Sequence, residues 1–338
     1  MSRSSPGQST FAAFLATVVL GGFNGISIRV SNQELAPFWG ATLRFGLAAA
    51  ALLVLVAVLR VALPRRRALA GSLIYGALTF GAAFALAYWA LVEVPAGVAQ
   101  VILALVPLLT LLLAVAHGLE RFRWQGAAGA MVAVVGVAVI FGDRIGTDIP
   151  FVPMLAVLAG AVCMAEGTVI VKRFPRSHPM ANNAVAMGIG AVMLVAASLL
   201  AGEPRVLPSA AQTWLAVGYL ALVGSVVVFG LFLYVIARWS ASATSYILLL
   251  MPLVTVPASA VLLREPITPA FLLGAAFVLV GVYVGAFAPS VSRPLPGLRW
   301  PARASTVATA GATAAVGSGS TRPADEPEPP EVTSPPCP

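Results

Sequence analysis

The chain alternates between long apolar runs and short connections that hold most of its charges. An apolar run of about 20 residues can cross the hydrocarbon core of a bilayer as a helix. Ten such runs follow one another, so the pattern predicts an all-α integral membrane protein with ten transmembrane helices. They cover residues 11–30, 38–59, 68–91, 95–116, 124–141, 150–171, 181–201, 212–236, 241–263 and 268–288.

The composition agrees with a membrane location. Of the 338 residues, 59% are hydrophobic and 9% are charged, whereas about 25% are charged in soluble proteins. The net charge of +8 resides in short arginine clusters between apolar runs, a pattern typical of membrane topology rather than of nucleic-acid binding. Two cysteines and two histidines provide neither a disulfide framework nor a metal site, and no cofactor is expected.

The distribution of Lys and Arg predicts the orientation in the membrane. With the N-terminus in the cytoplasm, fifteen of these residues lie on the cytoplasmic side and four on the other. Cytoplasmic loops carry an excess of positive charge, so we expect a multi-pass protein of the inner (cytoplasmic) membrane with both termini inside. Residues 1–10 form a cytoplasmic N-terminus. Residues 289–338, with eleven prolines, are predicted to be a disordered Pro-rich cytoplasmic tail.

The chain also repeats itself. Residues 11–142 and 150–288 each contain five predicted helices, and their second halves match at one constant offset in the numbering. An odd number of helices per repeat places the second copy upside down in the membrane, which is the architecture of many secondary transporters. The matching pairs are Pro107 and Pro252, Thr110 and Thr255, Glu120 and Glu265, Gly129 and Gly274, and Gly136 and Gly281. The first halves align more loosely and at a slightly smaller offset, with Pro37 opposite Pro179.

Several of these blocks carry a family resemblance. They are Val106-Pro107, Gly118-Leu119-Glu120, Met251-Pro252, Arg264-Glu265-Pro266 and Leu43-Arg44-Phe45. Together they resemble the two EamA domains of the drug/metabolite transporter superfamily. The first span departs from that family, because Gly21-Gly22-Phe23-Asn24 stands where a Trp-Gly-Ser/Ala-Asn stretch is common. The resemblance implies transport of an amino acid, a metabolite or a drug.

Two prolines mark the middle of equivalent spans. Pro107 and Pro252 each remove one backbone hydrogen bond and kink the helix. Broken helices at membrane depth are tolerated where protein or a water-filled cavity satisfies the backbone. Paired breaks in both repeats therefore predict a central cavity, although simple packing kinks would give the same pattern.

Polar residues near these prolines are candidate substrate contacts. Gln100 lies seven residues before Pro107, on the same helix face, and Ser245 is its repeat partner beside Tyr246. Asn24 in the first span is a further candidate. These groups suit hydrogen bonds to a small solute, and hydrogen bonds between helices are the alternative.

Aromatic residues end spans three and eight. Tyr88 and Tyr234 are candidates for a gate that contacts the substrate, and they are equally well explained as interfacial anchors.

Glu166 is an ionisable residue inside the sixth span, and such a residue indicates a functional site. It could carry a proton or bind a cationic substrate. Alternatively it pairs with Arg44 or reaches water near the interface. Arg44, inside the second span, could bind an anionic group or hold Glu166 or a backbone carbonyl, and a structural role is favoured. Glu120 and Glu265 are predicted to cap the helix that follows each of them.

Other classes of membrane protein lack their motifs in this sequence. There is one lysine and no Walker A loop, and neither H-E-x-x-H nor G-x-S-x-G occurs. We therefore predict a secondary transporter, not an enzyme, that exports a small amino-acid-like metabolite or a drug by alternating access, with a proton or an exchanged solute as energy source. The alternative is a membrane-embedded scaffold, enzyme or flippase acting on lipid-linked substrates. The glycine-rich faces of spans five and ten allow close packing and also suggest a homodimer.

Overall fold

A computed structural model describes residues 7–90, 93–94, 96–142, 151–263 and 268–287. Within these ranges every regular element is helical and no strand occurs. The helices form ten spans, most of them interrupted. They are α1 (Gln8–Gly22 and Asn24–Ser31), α2 (Pro37–Val58), α3 (Arg67–Ala90), α4 (Ala96–Leu103 and Val106–Ala116), α5 (Trp124–Phe141), α6 (Phe151–Arg173), α7 (Pro179–Leu200), α8 (Ala211–Ile236), α9 (Ala241–Ser245, Ile247–Leu250 and Pro252–Leu263) and α10 (Pro269–Phe287).

The ten-helix prediction is confirmed, with boundaries that differ only slightly from those expected. Among the described residues, nine helices are long and apolar enough to cross a membrane, and α5 adds a shorter apolar run over Trp124–Ile140. The largest departure is at the start, where α1 begins at Gln8 rather than at residue 11. Large apolar side chains such as Leu200, Leu215 and Val261 are at least 75% exposed, as expected for helices that face lipid.

Helix contacts follow the repeat. The most extensive contacts join α5 to α10 and α2 to α7, which are equivalent helices of the two copies. Helix α3 packs against α6, and the equivalent pair α8 and α1 packs in the same way. Exchanging each helix for its partner five positions away therefore preserves the contact pattern. This is the pattern expected when two similar five-helix units are related by a pseudo-two-fold axis.

Hydrogen bonds between connections support the alternation of helix direction. The connection after α1 is bonded to the connection after α7, since Oε2 of Glu34 accepts from the N–H of Ser209 at 2.9 Å. At the other end, Arg176 after α6 donates to the carbonyl of Ala237 after α8 at 2.8 Å. Helices that alternate in direction place these two pairs of connections at opposite ends of the molecule.

Glycines let α5 and α10 touch through their backbones. A Cβ at Gly129 would lie 2.4 Å from the backbone nitrogen of Gly285, and one at Gly136 would lie 2.6 Å from the carbonyl of Gly274. The close packing expected of these glycine faces is thus found within the chain. A homodimer through the same surface is not available, because the surface is already covered.

Equivalent helices are interrupted at equivalent places. Helix α3 contains a π-helical segment, Ala77–Ala82, and α8 contains one at Leu222–Val227. The two segments are separated by the same offset as Pro107 and Pro252, so they occupy equivalent positions of the two repeats. Those two prolines lie in the first turn of the helical segments that follow breaks in α4 and α9. π-turns inside α-helices recur at functional sites.

Candidate functional site

The break in α1 is hydrogen-bonded to the π segment of α8. Asn24 begins the second half of α1, and its Nδ2 donates to the carbonyl of Gly224 at 3.3 Å. Arg44 of α2 donates to the same carbonyl from Nη2 at 3.0 Å, and its Nε donates to Oγ of Ser225 at 2.9 Å. The widened turn of α8 is therefore held from two other helices.

Arg44 is buried and stacked against aromatic rings. Its side chain is 2% exposed, and its guanidinium carbon lies 4.9 Å from the ring centre of Phe45 and 5.6 Å from that of Phe84. Of the partners predicted for it, the structure gives a backbone carbonyl and not Glu166. A guanidinium that satisfies a backbone acceptor and stacks on aromatic faces is a stable way to bury a positive charge.

The glycines that depart from the family pattern have a packing role. A Cβ at Gly21 would lie 2.3 Å from Cε of Met251, and one at Gly22 would lie 2.6 Å from Cβ of Val254. Oγ1 of Thr255 donates to the carbonyl of Gly22 at 2.7 Å. The break in α9 thus fits against the break in α1, and larger residues at 21 and 22 would separate them.

Glu166 pairs with a histidine. Its Oε1 lies 3.2 Å from Nε2 of His117, and the two side chains are 23% and 22% exposed. Nδ1 of His117 lies 3.0 Å from the carbonyl oxygen of Leu113. Because a carbonyl only accepts, a hydrogen bond at this distance has Nδ1 as its donor, which leaves Nε2 facing the carboxylate.

Two of the buried oxygens without a partner among the described residues belong to predicted site residues. Oε2 of Glu166 and Oδ1 of Asn24 are buried and have no hydrogen-bond partner there. Asn24 on α1 and Glu166 on α6 are related by the same offset as Pro37 and Pro179. The two copies therefore place a buried acceptor at equivalent positions, which is an arrangement that could receive N–H donors from a solute.

Two predicted substrate contacts, Ser245 and Tyr246, are hydrogen-bonded within the bundle. Oγ of Ser245 donates to the carbonyl of Ser242 at 2.8 Å, inside its own helix. Tyr246 is 2% exposed, and its hydroxyl donates to the carbonyl of Gly126 at 2.9 Å. In this conformation neither hydroxyl is available to a ligand, because each already has a partner in a buried setting.

The remaining candidates are spread over the bundle. Tyr88 is 7% exposed beside Phe84, with ring centres 6.2 Å apart. Gln100 is exposed in the first half of α4. Tyr234 lies near the end of α8, where the guanidinium of Arg238 is stacked 3.5 Å from its ring centre, an arrangement that fits an anchor better than a gate.

The capping prediction for Glu120 is wrong in its target. Its carboxylate accepts from the N–H of Ser242 at 3.1 Å and from the hydroxyl of the same residue. Glu120 thus stabilises the start of α9, not the start of α5 that follows it. The connection that holds Glu120 turns at Gly118, where φ is 69°. Glu265 and its neighbours Arg264 and Pro266, like the tail, lie outside the described residues.

His117 is the residue that sequence reasoning missed. Two histidines in the sequence form no ligand cluster. The available signal was its position, immediately after the apolar segment of α4. A titratable ring at the end of a span can meet an ionisable residue of another span at the same depth.

Similarity to known proteins identifies the family. The EamA-like transporter family matches residues 8–142 and 152–286. The "Uncharacterized inner membrane transporter YedA" of Escherichia coli is 32% identical over 70% of this chain and 77% of its own length. A "Probable amino-acid metabolite efflux pump" of the same species is 28% identical, covering 85% and 94%. A "Biotin transporter" of Salmonella typhimurium is 30% identical, covering 73% and 83%.

A solved crystal structure shares the fold, with a TM-score of 0.72 at 22% identity over 83% of this chain and 98% of that one. Together with the apolar helices, these findings identify a multi-pass inner-membrane transporter of a small molecule, and not an enzyme. The chain belongs to the EamA-like transporter family.

Proposed function

We propose that this transporter exports a small amine-bearing solute, such as an amino-acid-like metabolite or a cationic drug, from the cytoplasm by alternating access. One observation carries the proposal: Asn24 and Glu166 present buried acceptor oxygens without donors among the described residues, at equivalent positions of the two repeats. An ammonium group offers three donors and a positive charge. The efflux relative named above supports the same class of substrate and the outward direction.

Proton exchange is the energy source that fits the Glu166–His117 pair. In this proposal the pair carries one proton, and Oε1 and Nε2 lie 3.2 Å apart. An arriving ammonium group would compete with that proton for the carboxylate, because two positive charges at one carboxylate repel each other. Release of the proton on one side and its return on the other would couple solute movement to the proton gradient. The excess of positive charge in the cytoplasmic connections supports a location of this pair near the cytoplasmic end of α4 and α6.

Ligand-induced thermal stabilisation of the purified protein tests the substrate class. The probes are amino acids, polyamines and cationic drugs, each beside an analogue without the amine. A ligand at 100 times its Kd adds about 2.7 kcal/mol to the free energy of unfolding when it binds only the folded state. Stabilisation by the amines and not by their analogues is expected. Stabilisation by the amine-free analogues alone would overturn the proposed class.

Glu166→Gln tests whether the Glu166 carboxylate takes part in substrate binding and transport. It keeps the shape of the side chain and removes its charge, so the affinity for the stabilising amine and the transport rate in proteoliposomes should both fall by about tenfold or more. Glu93→Gln is the matched control, because Glu93 is an exposed carboxylate after α3. Unchanged transport in Glu166→Gln, with Glu93→Gln also active, would remove Glu166 from the mechanism.

A further inference from the structure

The two ends of the bundle have equivalent backbone turns but differ in the charges of the side chains there. At one end, carboxylates accept hydrogen bonds from the backbone at the starts of α2 and α8. Glu203 accepts from the N–H groups of Phe38 and Trp39 at 3.0 and 2.8 Å, and Glu34 accepts from those of Ser209 and Ala210. These carboxylates satisfy donors that the first helical turn leaves free and neutralise the positive end of each helix.

The offset between Pro37 and Pro179 identifies the equivalent positions of the other repeat, which lie at the other end of the bundle. Gly202 follows α7 with φ 66°, and Arg60 follows α2 with φ 51°. The next N–H donates back into the helix in both copies, from Glu203 to Ser198 at 3.0 Å and from Val61 to Val56 at 2.9 Å. Val61 therefore occupies the position of Glu203. By the same offset, Arg176 occupies the position of Glu34.

As a result, α3 and α7 begin without a carboxylate. No side chain caps either helix at its N-cap residue, Arg66 or His178. Two adjoining cavities of about 330 and 520 Å³ open between these helix starts. Five cationic side chains line them and, among the described residues, no carboxylate does: Arg60, Arg65, Lys172, Arg176 and Arg238.

A buried amide also lines the smaller cavity. Asn182 of α7 lines it and is 7% exposed. Oγ of Ser72 lies 2.6 Å from Oδ1 of Asn182 and 3.0 Å from the carbonyl oxygen of Ala68, and Nδ2 of Asn182 has no acceptor among the described residues. Buried donors are nearly always paired, so this amide is able to donate to a ligand in the cavity.

The neighbouring cations have a structural role that does not account for the whole site. Arg176 donates to the carbonyl of Ala237 at 2.8 Å and Arg238 to that of Tyr234 at 2.9 Å. Lys172 donates to the carbonyls of Ile236 and Trp239. These bonds close the C-terminal end of α8. They use part of each donor set, and they satisfy neither Asn182 nor the starts of α3 and α7.

We propose that these cavities bind a phosphate group. It would lie between the starts of α3 and α7, at positions equivalent to those that the carboxylates of Glu34 and Glu203 occupy at the other end of the molecule. Helix N-termini and arginine forks are the usual ligands of phosphate oxygens. The group could belong to an anionic phospholipid or to a free phosphate compound. Basic pockets between membrane helices bind lipid head groups in this way. The site is separate from Asn24 and Glu166, so it does not depend on the proposed substrate.

Thermal stabilisation of the purified protein in a nonionic detergent tests the site. The probes are inorganic phosphate, short-chain phosphatidylglycerol and, as a neutral reference, short-chain phosphatidylcholine, all at one ionic strength set with chloride. Val61→Glu supplies an internal carboxylate at the position equivalent to Glu203, and Val61→Gln matches its size without the charge. We expect binding of a phosphate probe by the native protein and by Val61→Gln, and an affinity about tenfold lower in Val61→Glu. Arg176→Gln should weaken binding in the same direction.

The outcomes distinguish the two possible sources of the phosphate group and also test the proposal itself. Binding of both phosphate and phosphatidylglycerol supports a free phosphate group as ligand, and binding of phosphatidylglycerol alone supports a lipid head group. Stabilisation by phosphatidylcholine to the same extent would overturn the proposal. So would stabilisation by neither phosphate probe, or equal affinities in Val61→Glu and Val61→Gln.

Discussion

The π segments of α3 and α8 occupy equivalent places but are held differently. In α8, the carbonyl of Gly224 accepts from both Arg44 and Asn24. In α3, Thr79 stands at the position of Gly224, and its buried hydroxyl has no partner among the described residues. The position of Arg44 is taken by Ala186 in α7. The duplicated backbone therefore supplies two potential hinges, and side chains fix one of them. We expect α3 to move more easily than α8.

The largest effect is expected from removing the charge that fixes α8. Arg44→Ala takes away two hydrogen bonds inside the bundle and leaves Oγ of Ser225 without its donor. The free energy of unfolding should fall by about 2–4 kcal/mol, because buried polar groups lose their partners and a cavity forms. Thermal and denaturant unfolding in detergent measure this loss.

Arg121→Ala is the control for Arg44→Ala. Arg121 is exposed in the connection after α4, so its loss should change stability by less than about 0.5 kcal/mol. Equal stability of the two variants would show that α8 is no more firmly held than α3.

A smaller effect is expected from crowding the same contact. The Cβ of Gly224→Ala would lie 2.1 Å from Oδ1 of Asn24, so Asn24 must turn away and lose its bond to Gly224. We expect a loss of about 1–2 kcal/mol and slower transport. Gly218→Ala is the matched control in the same helix, because no atom lies within 4 Å of its new Cβ. A tolerated Gly224→Ala with full transport would show that Asn24 does not depend on this contact.

The smallest effect concerns the carboxylate end. The backbone N–H of Ser209 lowers the pKa of Glu34 from its ordinary value of 4.5, and that of Ala210 acts in the same direction. A carboxyl group with a lowered folded-state pKa stabilises the fold above its unfolded pKa, and that contribution disappears as the pH falls through the folded pKa. Acidification below about pH 4.5 should therefore destabilise the native protein slightly more than Glu34→Gln. If the melting temperatures of the native protein and of Glu34→Gln fall by the same amount between pH 7 and pH 3, this expectation is wrong.

Sequence was sufficient for the parts of the fold that depend on length and repetition. An apolar run of membrane length defines a span, and one offset links Pro107 to Pro252 and Gly129 to Gly274. It also identified Glu166 as unusual, because an ionisable residue inside a span is rare.

The partners of these residues could not be predicted, because they depend on which helices become neighbours. Glu166 meets His117 rather than Arg44, and Glu120 reaches α9 rather than α5. No residue type marks the π segments. Tyr246 shows the same limit, since a polar residue beside a broken helix can face either a cavity or a glycine of α5.

The contact between α5 and α10 has a consequence for biosynthesis. Between 138 and 156 residues separate Gly129 and Gly136 from the glycines they touch, so at about 5–20 residues per second the ribosome needs roughly 7–30 s to supply the partner helix. Helix α2 waits in the same way for α7. During that interval the first five helices are in the membrane with their best-fitting surfaces uncovered. The first half therefore matures only when the second arrives, and the newly made chain depends on lipid or insertion factors to cover those surfaces until then.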